Sequence, residues 1–321
     1  MAERDPPLIR TFSYHCRQKY GRSMGKIPLD AGVVCPNRAR GGCIFCRPAG
    51  FTPACLRKSD DIFLQVAAGK AGLLKGRFRE YFAYFQQESC TAMPAEQLLP
   101  LLREVLKDPG CAGLILSTRP DCITKTLLHP LAELVRQTGK DCLFELGLQS
   151  VHEKSLTFLN RNHGFADFRG AAERIQAAGA FELGAHLIFG IPGESEAEML
   201  ASLAAVCRLG VTHLKLHHLQ VIRDTALHDL YRLGKVPLFS REGYLEFLLR
   251  ALPMIPADVT IHRLWSTAHP DLLVAPKWYI LAGQLSRELQ ERMAERGIWQ
   301  GQRAELLNSG RTGRGGSAEL W

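Results

Sequence analysis

The octapeptide Cys142-Leu-Phe-Glu-Leu-Gly-Leu-Gln149 decides the fold. Successive side chains of a strand point to opposite faces, so Cys142, Phe144, Leu146 and Leu148 share an apolar face and Glu145, Gly147 and Gln149 share the other. Phe181 to Gly190 divides in the same way. Phe181, Leu183, Ala185, Leu187 and Phe189 stand against Glu182, Gly184, His186, Ile188 and Gly190. Thr212 to Leu219 sets Leu214 and Leu216 against His213, Lys215 and His217. One face of each strand must pack on helices, which leaves the polar, glycine-bearing face inside. A filled barrel lines its interior with bulky branched residues, whereas these strands offer carboxylate, amide, imidazole and ammonium groups. The expected interior is open and holds a polar ligand, with chemistry at the carboxyl ends of the strands. Taken alone, His186 reads as a hydrogen-bonded core histidine; the agreement of three strands points to a ligand-lined interior.

Outward from this stretch, short apolar strands alternate with amphipathic helical segments, the pattern of βαβ units and a parallel sheet. Strands are expected at Ile27 to Val34, Arg79 to Gln86, Gly113 to Thr118, Cys142 to Gln149, Phe181 to Phe189 and Thr212 to Leu219. Helices are expected at Asp60 to Leu74, Ala95 to Leu106, Thr124 to Thr138, Ala166 to Ala178 and Glu194 to Leu209, with Pro94, Pro109 and Gly139 as punctuation. The fold class is α/β, a partial (βα)6 TIM-like barrel. Beyond about Thr225 the pattern turns helical, at Ser240 to Leu252 and Trp278 to Arg296, around a loop at His262 to Pro270. The expected division is an N-terminal arm (1–19), the barrel (20–225), a C-terminal helical extension (226–307) and a disordered tail rich in glycine and polar residues (308–321).

Three thiols occupy one glycine-bearing stretch, Cys35-Pro-Asn-Arg-Ala-Arg-Gly-Gly-Cys43-Ile-Phe-Cys46. No fourth cysteine or histidine completes the set at motif spacing. Thiolates hold iron–sulfur clusters, and three of them leave one iron open to bind and activate a second molecule. Gly41 and Gly42 relax the backbone where the loop turns its thiols inward. The alternative is a structural zinc site with Cys55 as a distant fourth ligand. Cys16, Cys90, Cys111, Cys122, Cys142 and Cys207 are scattered in apolar or mixed segments and read as packing thiols.

With 46% hydrophobic and 22% charged residues in 321, the chain can bury a full core. Its first residues lack an apolar signal core, and no apolar run is long enough to cross a bilayer. A cytoplasmic protein with no membrane partner is expected, and ten cysteines suit a reducing compartment. The formal charge is +8, and residues 1–60 hold eleven Lys or Arg against four Asp or Glu. Arg17, Lys19, Arg22, Lys26, Arg38, Arg40, Arg47, Arg57 and Lys58 read either as a field for a phosphate-bearing substrate or as an ordinary solvated surface.

Several motifs in order resemble the radical S-adenosylmethionine (SAM) superfamily, in its Elongator-like type and more narrowly the bacterial YhcC/YtqA-like group. They are Lys26-Ile-Pro-Leu-Asp-Ala-Gly with Cys-Pro-Asn-Arg, Tyr84-Phe-Gln, Thr118-Arg-Pro-Asp-Cys, Glu145-Leu-Gly-Leu-Gln-Ser, Asn160-Arg-Asn-His, Ala185-His-Leu-Ile-Phe-Gly-Ile-Pro-Gly-Glu and Ala275-Pro-Lys-Trp. The resemblance runs from about Tyr20 to Leu289. It implies that Cys35, Cys43 and Cys46 hold a [4Fe-4S] cluster whose fourth iron binds the amino and carboxylate groups of SAM. It implies reductive cleavage of SAM to methionine and a 5′-deoxyadenosyl radical that abstracts hydrogen from substrate, fed by a flavodoxin- or ferredoxin-type electron donor. Phe45 resembles the family's aromatic beside the cofactor. Glu145 and Gln149 match the strand-four motif and become candidates for the SAM ribose or the substrate, Gly190 and Gly193 match the motif that lets backbone approach adenine, and Arg161 is a candidate for the SAM carboxylate. The narrow group implies processing of a wobble-uridine side chain in tRNA. Arg38, Arg40, Arg57, Lys58, His186, Lys215 and His217 are the candidate substrate contacts.

The chain departs from the pattern at three places. Seven residues separate Cys35 from Cys43, wider than the superfamily's common three, and Gln86-Gln-Glu-Ser-Cys-Thr-Ala and Arg263-Leu-Trp-Ser-Thr differ from the group's usual sequence. A small-molecule radical SAM oxidoreductase and a non-catalytic, zinc-stabilised RNA-binding protein remain the alternatives.

Overall fold

A computed structural model describes residues 7–52, 56 and 61–307. Cys55, Arg57, Lys58, the first six residues of the N-terminal arm and the tail 308–321 lie outside the described residues. In chain order the elements are α1 (Phe12–Tyr20), β1 (Gly25–Leu29), α2 (Ile62–Gly69), β2 (Tyr81–Phe85), α3 (Ala95–Leu106), β3 (Cys111–Thr118), α4 (Lys125–Thr138), β4 (Asp141–Gln149), α5 (Glu153–Phe158) and α6 (Phe165–Ala177). They continue as β5 (Glu182–Phe189), α7 (Glu196–Arg208), β6 (His213–His218), β7 (Val221–Ile222), α8 (Ala226–Arg232), α9 (Arg241–Ala251), β8 (Thr260–Arg263), β9 (Leu273–Ala275) and α10 (Ala282–Glu295).

The main sheet runs β1-β2-β3-β4-β5-β6-β8, every pair parallel, as a curled half-barrel. All six expected strands are present, with ends shifted by up to five residues. The seventh, β8, falls partly in the stretch read as a loop. Its four residues are too few to show a period, and it is fixed by a non-local pairing, Leu214 with Ile261 and Lys215 with Arg263. A register shift between Leu214 and Lys215 accompanies that pairing, as where an extra residue is accommodated.

The two faces separate as the alternation requires. Leu114, Leu116, Phe144, Leu146, Leu183, Leu187, Leu214 and Leu216 join Leu98, Leu102, Leu127, Leu131, Ile175 and Leu203 of the covering helices in one core. Each such fully buried side chain contributes about 1.5–3 kcal/mol. The amino-terminal end of the interior is filled rather than open. Phe12, Cys16 and Tyr20 of α1 pack on Phe82, Ile115 and Leu143 from the inner face. Thr11 caps α1 by accepting from the Tyr14 amide at 3.2 Å, and Gly21 ends it at φ +70°. The helix thus stoppers one end of the barrel, and ligand space is confined to the other. No helix among the described residues is long and apolar enough to cross a membrane.

The β3–β4 pairing is close enough to exclude a side chain at Gly113, where a Cβ would lie 2.3 Å from the Asp141 carbonyl oxygen. Gly113→Ala should destabilise the fold by about 1–3 kcal/mol, seen as a lower urea midpoint at unchanged slope. Gly283→Ala in α10, where a Cβ meets nothing within 4 Å, should raise the midpoint by about 0.4–1 kcal/mol.

Candidate active site

A cavity of about 280 Å³ opens at the carboxyl ends of the strands, walled by the thiol loop on one side and the inner faces of the sheet on the other. Cys35, Cys43 and Cys46 all line it. After Cys35 the chain makes a short 3-10 turn, Pro36–Arg40, then reverses through Gly41 at φ +87° and Gly42 at φ +72°, conformations that glycine adopts without steric cost.

The turn after α5 clamps this loop. Asn160 Nδ2 donates to the carbonyls of Arg40 (3.0 Å) and Gly42 (2.6 Å), and the Ile44 amide donates to Leu159 O at 3.1 Å. Asn37 Nδ2 donates to Asn160 O at 2.8 Å and to Cys43 Sγ at 3.3 Å, and Asn162 donates back to Asn37 Oδ1 at 2.9 Å. Arg161, 6% exposed, donates through Nη1 to Cys43 Sγ at 3.1 Å and through Nη2 to Gly147 O and to His163 Nε2. Burial, then Arg161 and Arg119, push His163 down to about 4, so its ring is neutral and can accept. Ser89 Oγ lies 3.6 Å from Cys35 Sγ. Donors aimed at cysteine sulfur suit thiolates that carry charge to a metal.

Two features bear on which group the site fits. The sulfurs of Cys35, Cys43 and Cys46 do not close into a single-ion set: among the described residues, the group whose ligand atoms all lie within 4.8 Å is His15, Glu182 and His213. Zinc at about 2.3 Å from each thiolate draws its sulfurs closer than that, whereas a cluster spreads them. Gln87 and Arg119 line the cavity, and each keeps a buried donor without a partner, Nε2 and Nη1 respectively. Such donors suit an anionic ligand. Arg119 is fixed by paired 2.9 Å bonds to Asp121.

The other candidates fall at different depths. Phe45, Gln149, Arg161, Arg38, His186, Lys215 and His217 line the cavity. Gln149 stands at φ +82° beside the register shift at the end of β4. Arg38 is paired with Glu88 at 3.1 Å, and Glu88 also accepts from the Cys35 amide at 3.3 Å. Glu145 lies beneath the floor, 1% exposed, its Oε2 accepting from Lys215 Nζ at 3.2 Å and facing His186 Nε2 at 2.9 Å, its Oε1 facing His262 Nδ1 at 2.8 Å. Burial pushes its carboxyl up, but Lys215 and His186 prevail and hold it well below the ordinary range. Burial, then Lys215, holds His186 down to about 4, and burial, opposed by Glu145, holds Lys215 down to about 8. Lys215 also contacts the Tyr84 hydroxyl. His217 is held well below its usual value by burial and then by Arg263.

Gly190 and Gly193 do not line the cavity. At φ +84°, Gly190 makes room for Phe239, which a Cβ would meet at 2.9 Å, and its amide contacts Met199 Sδ at 3.1 Å. Arg40 is exposed outside the cavity, and Arg57 and Lys58 lie outside the described residues. The basic residues of the first sixty divide between the two ends of the barrel. Lys19 pairs with Asp141 (2.8 Å) and Glu182 (3.0 Å), and Arg22 with Glu80 (3.1 Å), at the stoppered end, while Lys26, half-buried, reaches His262 Nδ1 at 2.9 Å inside the barrel.

Sequence reasoning gave no role to Asn37, Gln87, Arg119, His262, Arg263 or Ser266. Asn37 lies in Cys35-Pro-Asn-Arg and Arg119 in Thr118-Arg-Pro-Asp-Cys, motifs that fix their positions but not their contacts. All three departures from the family pattern line the cavity, through the thiol loop, through Gln86, Gln87, Glu88 and Ser89, and through Arg263 and Ser266.

Residues 211–295 match the model of the Radical_SAM C-terminal domain. The chain is 31% identical over 296 residues to the uncharacterized protein YtqA of Bacillus subtilis, covering 91% of each. It is 31% identical over 275 residues to the protein YhcC of Escherichia coli K12, covering 84% of this chain and 87% of that one. It is similar in structure to the Elp3 of the archaeon Methanocaldococcus infernus, with TM-score 0.66 at 17% identity, covering 86% of this chain and 64% of that one.

If Asn37 positions a ligating thiolate, Asn37→Asp should fold normally by circular dichroism yet bind iron about 10-fold more weakly in anaerobic reconstitution. The substitution keeps the side chain's size but replaces the donor to Cys43 with a repelling carboxylate.

Proposed function

The chain belongs to the radical SAM superfamily, in its Elongator-like type and YhcC/YtqA-like group, and from that premise we propose that it cleaves SAM reductively to modify a wobble-uridine side chain in tRNA. It is an enzyme, and the family's cofactors are a [4Fe-4S] cluster and SAM. In this reading Cys35, Cys43 and Cys46 hold the cluster. The observation that carries it is that three cysteines face one cavity, with buried donors directed at Cys43. When bound, the cofactors supply reductive cleavage and a 5′-deoxyadenosyl radical.

The chain's own residues supply position and electrostatics. Arg161 ties the cluster loop to β4 by spanning Cys43 and Gly147. Gln87 and Arg119, with free buried donors, are suited to the SAM carboxylate. Phe45, packed beside Leu159, Ile188 and Ile191, closes the side of the cavity against water. Gln149, His217 and Arg263 remain to contact SAM or substrate. An electron donor of flavodoxin or ferredoxin type would approach the loop side, where Cys46 is exposed. Arg38 and Arg40 at the mouth, with Arg57 and Lys58, are assigned to the phosphates of tRNA. The reading keeps the protein in the cytoplasm.

Anaerobic protein should be brown and hold iron with acid-labile sulfide. Cys35→Ala, Cys43→Ala and Cys46→Ala should each lose most of both, and Cys55→Ala little. The reduced protein should turn SAM into 5′-deoxyadenosine and methionine; bound zinc without sulfide, or no deoxyadenosine from loaded protein, would overturn the assignment.

Affinity for tRNA should fall steeply with salt, because each neutralised phosphate releases counterions. Reversing Arg40, Arg57 and Lys58 to Glu should flatten the log–log slope by about 0.7–0.9 per lost contact and leave uncoupled SAM cleavage nearly intact. Modified nucleosides of tRNA should differ between cells with and without the protein. No binding at low salt and unchanged nucleosides would assign the cavity to a small-molecule substrate.

A further inference from the structure

Beneath the cavity, ionisable side chains are joined end to end through the barrel. Glu182 Oε2 lies 3.1 Å from His213 Nε2, His213 Nδ1 2.8 Å from His262 Nε2, and His262 Nδ1 2.8 Å from Glu145 Oε1. The other oxygen of Glu145 lies 2.9 Å from His186 Nε2. His186 lines the cavity. At the far end the Glu182 side chain keeps 32% of its exposure, whereas His213, His262 and Glu145 each keep 3% or less. Glu182 and His186 are four residues apart on one strand, or about 13 Å. The string therefore spans from the cavity floor to solvent at the stoppered end.

The three contacts between the two carboxylates require three protons, and two neutral imidazoles bring only two. The string closes when it holds one more. An imidazole can take a proton on one nitrogen and release one from the other, so that extra proton is mobile along the row.

We propose that His186, Glu145, His262, His213 and Glu182 form a proton path, through which a ligand-filled cavity exchanges one proton with bulk water at the closed end of the barrel. Outward, His186 takes a proton on Nδ1 from the cavity and gives the one on Nε2 to Glu145. The Glu145 carboxyl, which faces both rings, turns over to deliver it to His262 Nδ1. His262 passes its Nε2 proton to His213 Nδ1, and His213 passes its Nε2 proton to Glu182, which releases it to water. One proton enters, one leaves, and no electrons change hands. His186 is the residue that touches the ligand; the others act through it.

The groups facing the path come from every neighbouring element. Lys215 of β6 and Tyr84 of β2 adjoin Glu145 and each other, Arg263 of β8 adjoins Lys215, and Lys26 of β1 stands 2.9 Å from His262 Nδ1. At the outer end are Arg10, His15 and Lys19, with Asp141 of β4 bound to Lys19. Burial holds the Lys26 amine down to about 7, against the pull of Glu145. Burial, then the Lys26 charge, holds His262 well below its usual value, so its ring carries the extra proton only in passing.

Imidazole nitrogen and proton spectra of the full-length, histidine-labelled chain test the path. They need no cofactor, so their failure is distinct from failure of the radical reading. A low-field, exchange-protected proton shared by His213 and His262 is expected. Glu182→Gln keeps the hydrogen bond from His213 but removes the charge. It should abolish that resonance and shift the Nε2 signal of His186 some 13 Å away, and Glu182→Asp should restore both. A merely structural Glu182 would leave His186 unmoved in Glu182→Gln, and that result overturns the proposal. Stoichiometric zinc binding that needs His15, Glu182 and His213 would also overturn it, because a metal on Glu182 and His213 would block the outlet.

Discussion

The buried carboxylate of Glu145 sets the terms for the inside of this barrel. A charge removed from water is tolerated only when it is paired and hydrogen-bonded, and Glu145 is 1% exposed. Its partners come from β5 (His186), β6 (Lys215) and β8 (His262). The carboxylate therefore requires the seventh strand: without β8 one oxygen would lose its donor in a site that water scarcely enters. Losing one partner of such a set typically costs about 3–5 kcal/mol, since the remaining charge stays buried. The cavity floor is thus fixed by electrostatics and the outer core by apolar packing.

That floor governs the chemistry above it. Burial keeps His186, His217 and His218 neutral, the last pushed down to about 3. The standing positive charge around the cavity is carried instead by Arg119, Arg161 and Arg263, with Lys215 below. Neutral imidazoles can donate or accept as a ligand demands, while the guanidiniums offer fixed donors to anions. Arg161 links the levels, since one guanidinium holds the sulfur of Cys43 and the backbone of β4. A shift of the thiol loop would be felt in the strand that carries Glu145 and Gln149.

Much of this was legible in the sequence, because period-two alternation survives wherever a strand is long enough to show it. The inward sets of β4, β5 and β6 follow directly from residue order. The stopper was not legible: α1 reads as an arm because its burial depends on the distant Phe82, Ile115 and Leu143. Thr260 to Arg263 was missed for the same reason, since non-local pairing with β6 makes it a strand. Motifs marked Asn37, Asn160 and Arg161 as notable, but the clamp they form joins residues more than a hundred positions apart. Gly190 shows the converse, a motif glycine whose packing reason, Phe239, is visible only in three dimensions.

Charge was the least transferable signal, for a topological reason. Residues 1–60 are strongly basic, yet α1 precedes β1 at the amino ends of the strands and the thiol loop follows β1 at the carboxyl ends. One short strand therefore carries neighbouring basic segments to opposite poles. Lys19 and Arg22 are spent on carboxylates at the stoppered pole, and Lys26 is drawn into the interior. At the mouth, Arg38 is matched by Glu88 and Arg47 by Asp224 at 2.7 Å. Net charge counted along the chain thus overstates the field a ligand meets. What reaches the cavity is a few guanidiniums held by specific partners, and their geometry selects the ligand more than their sum does.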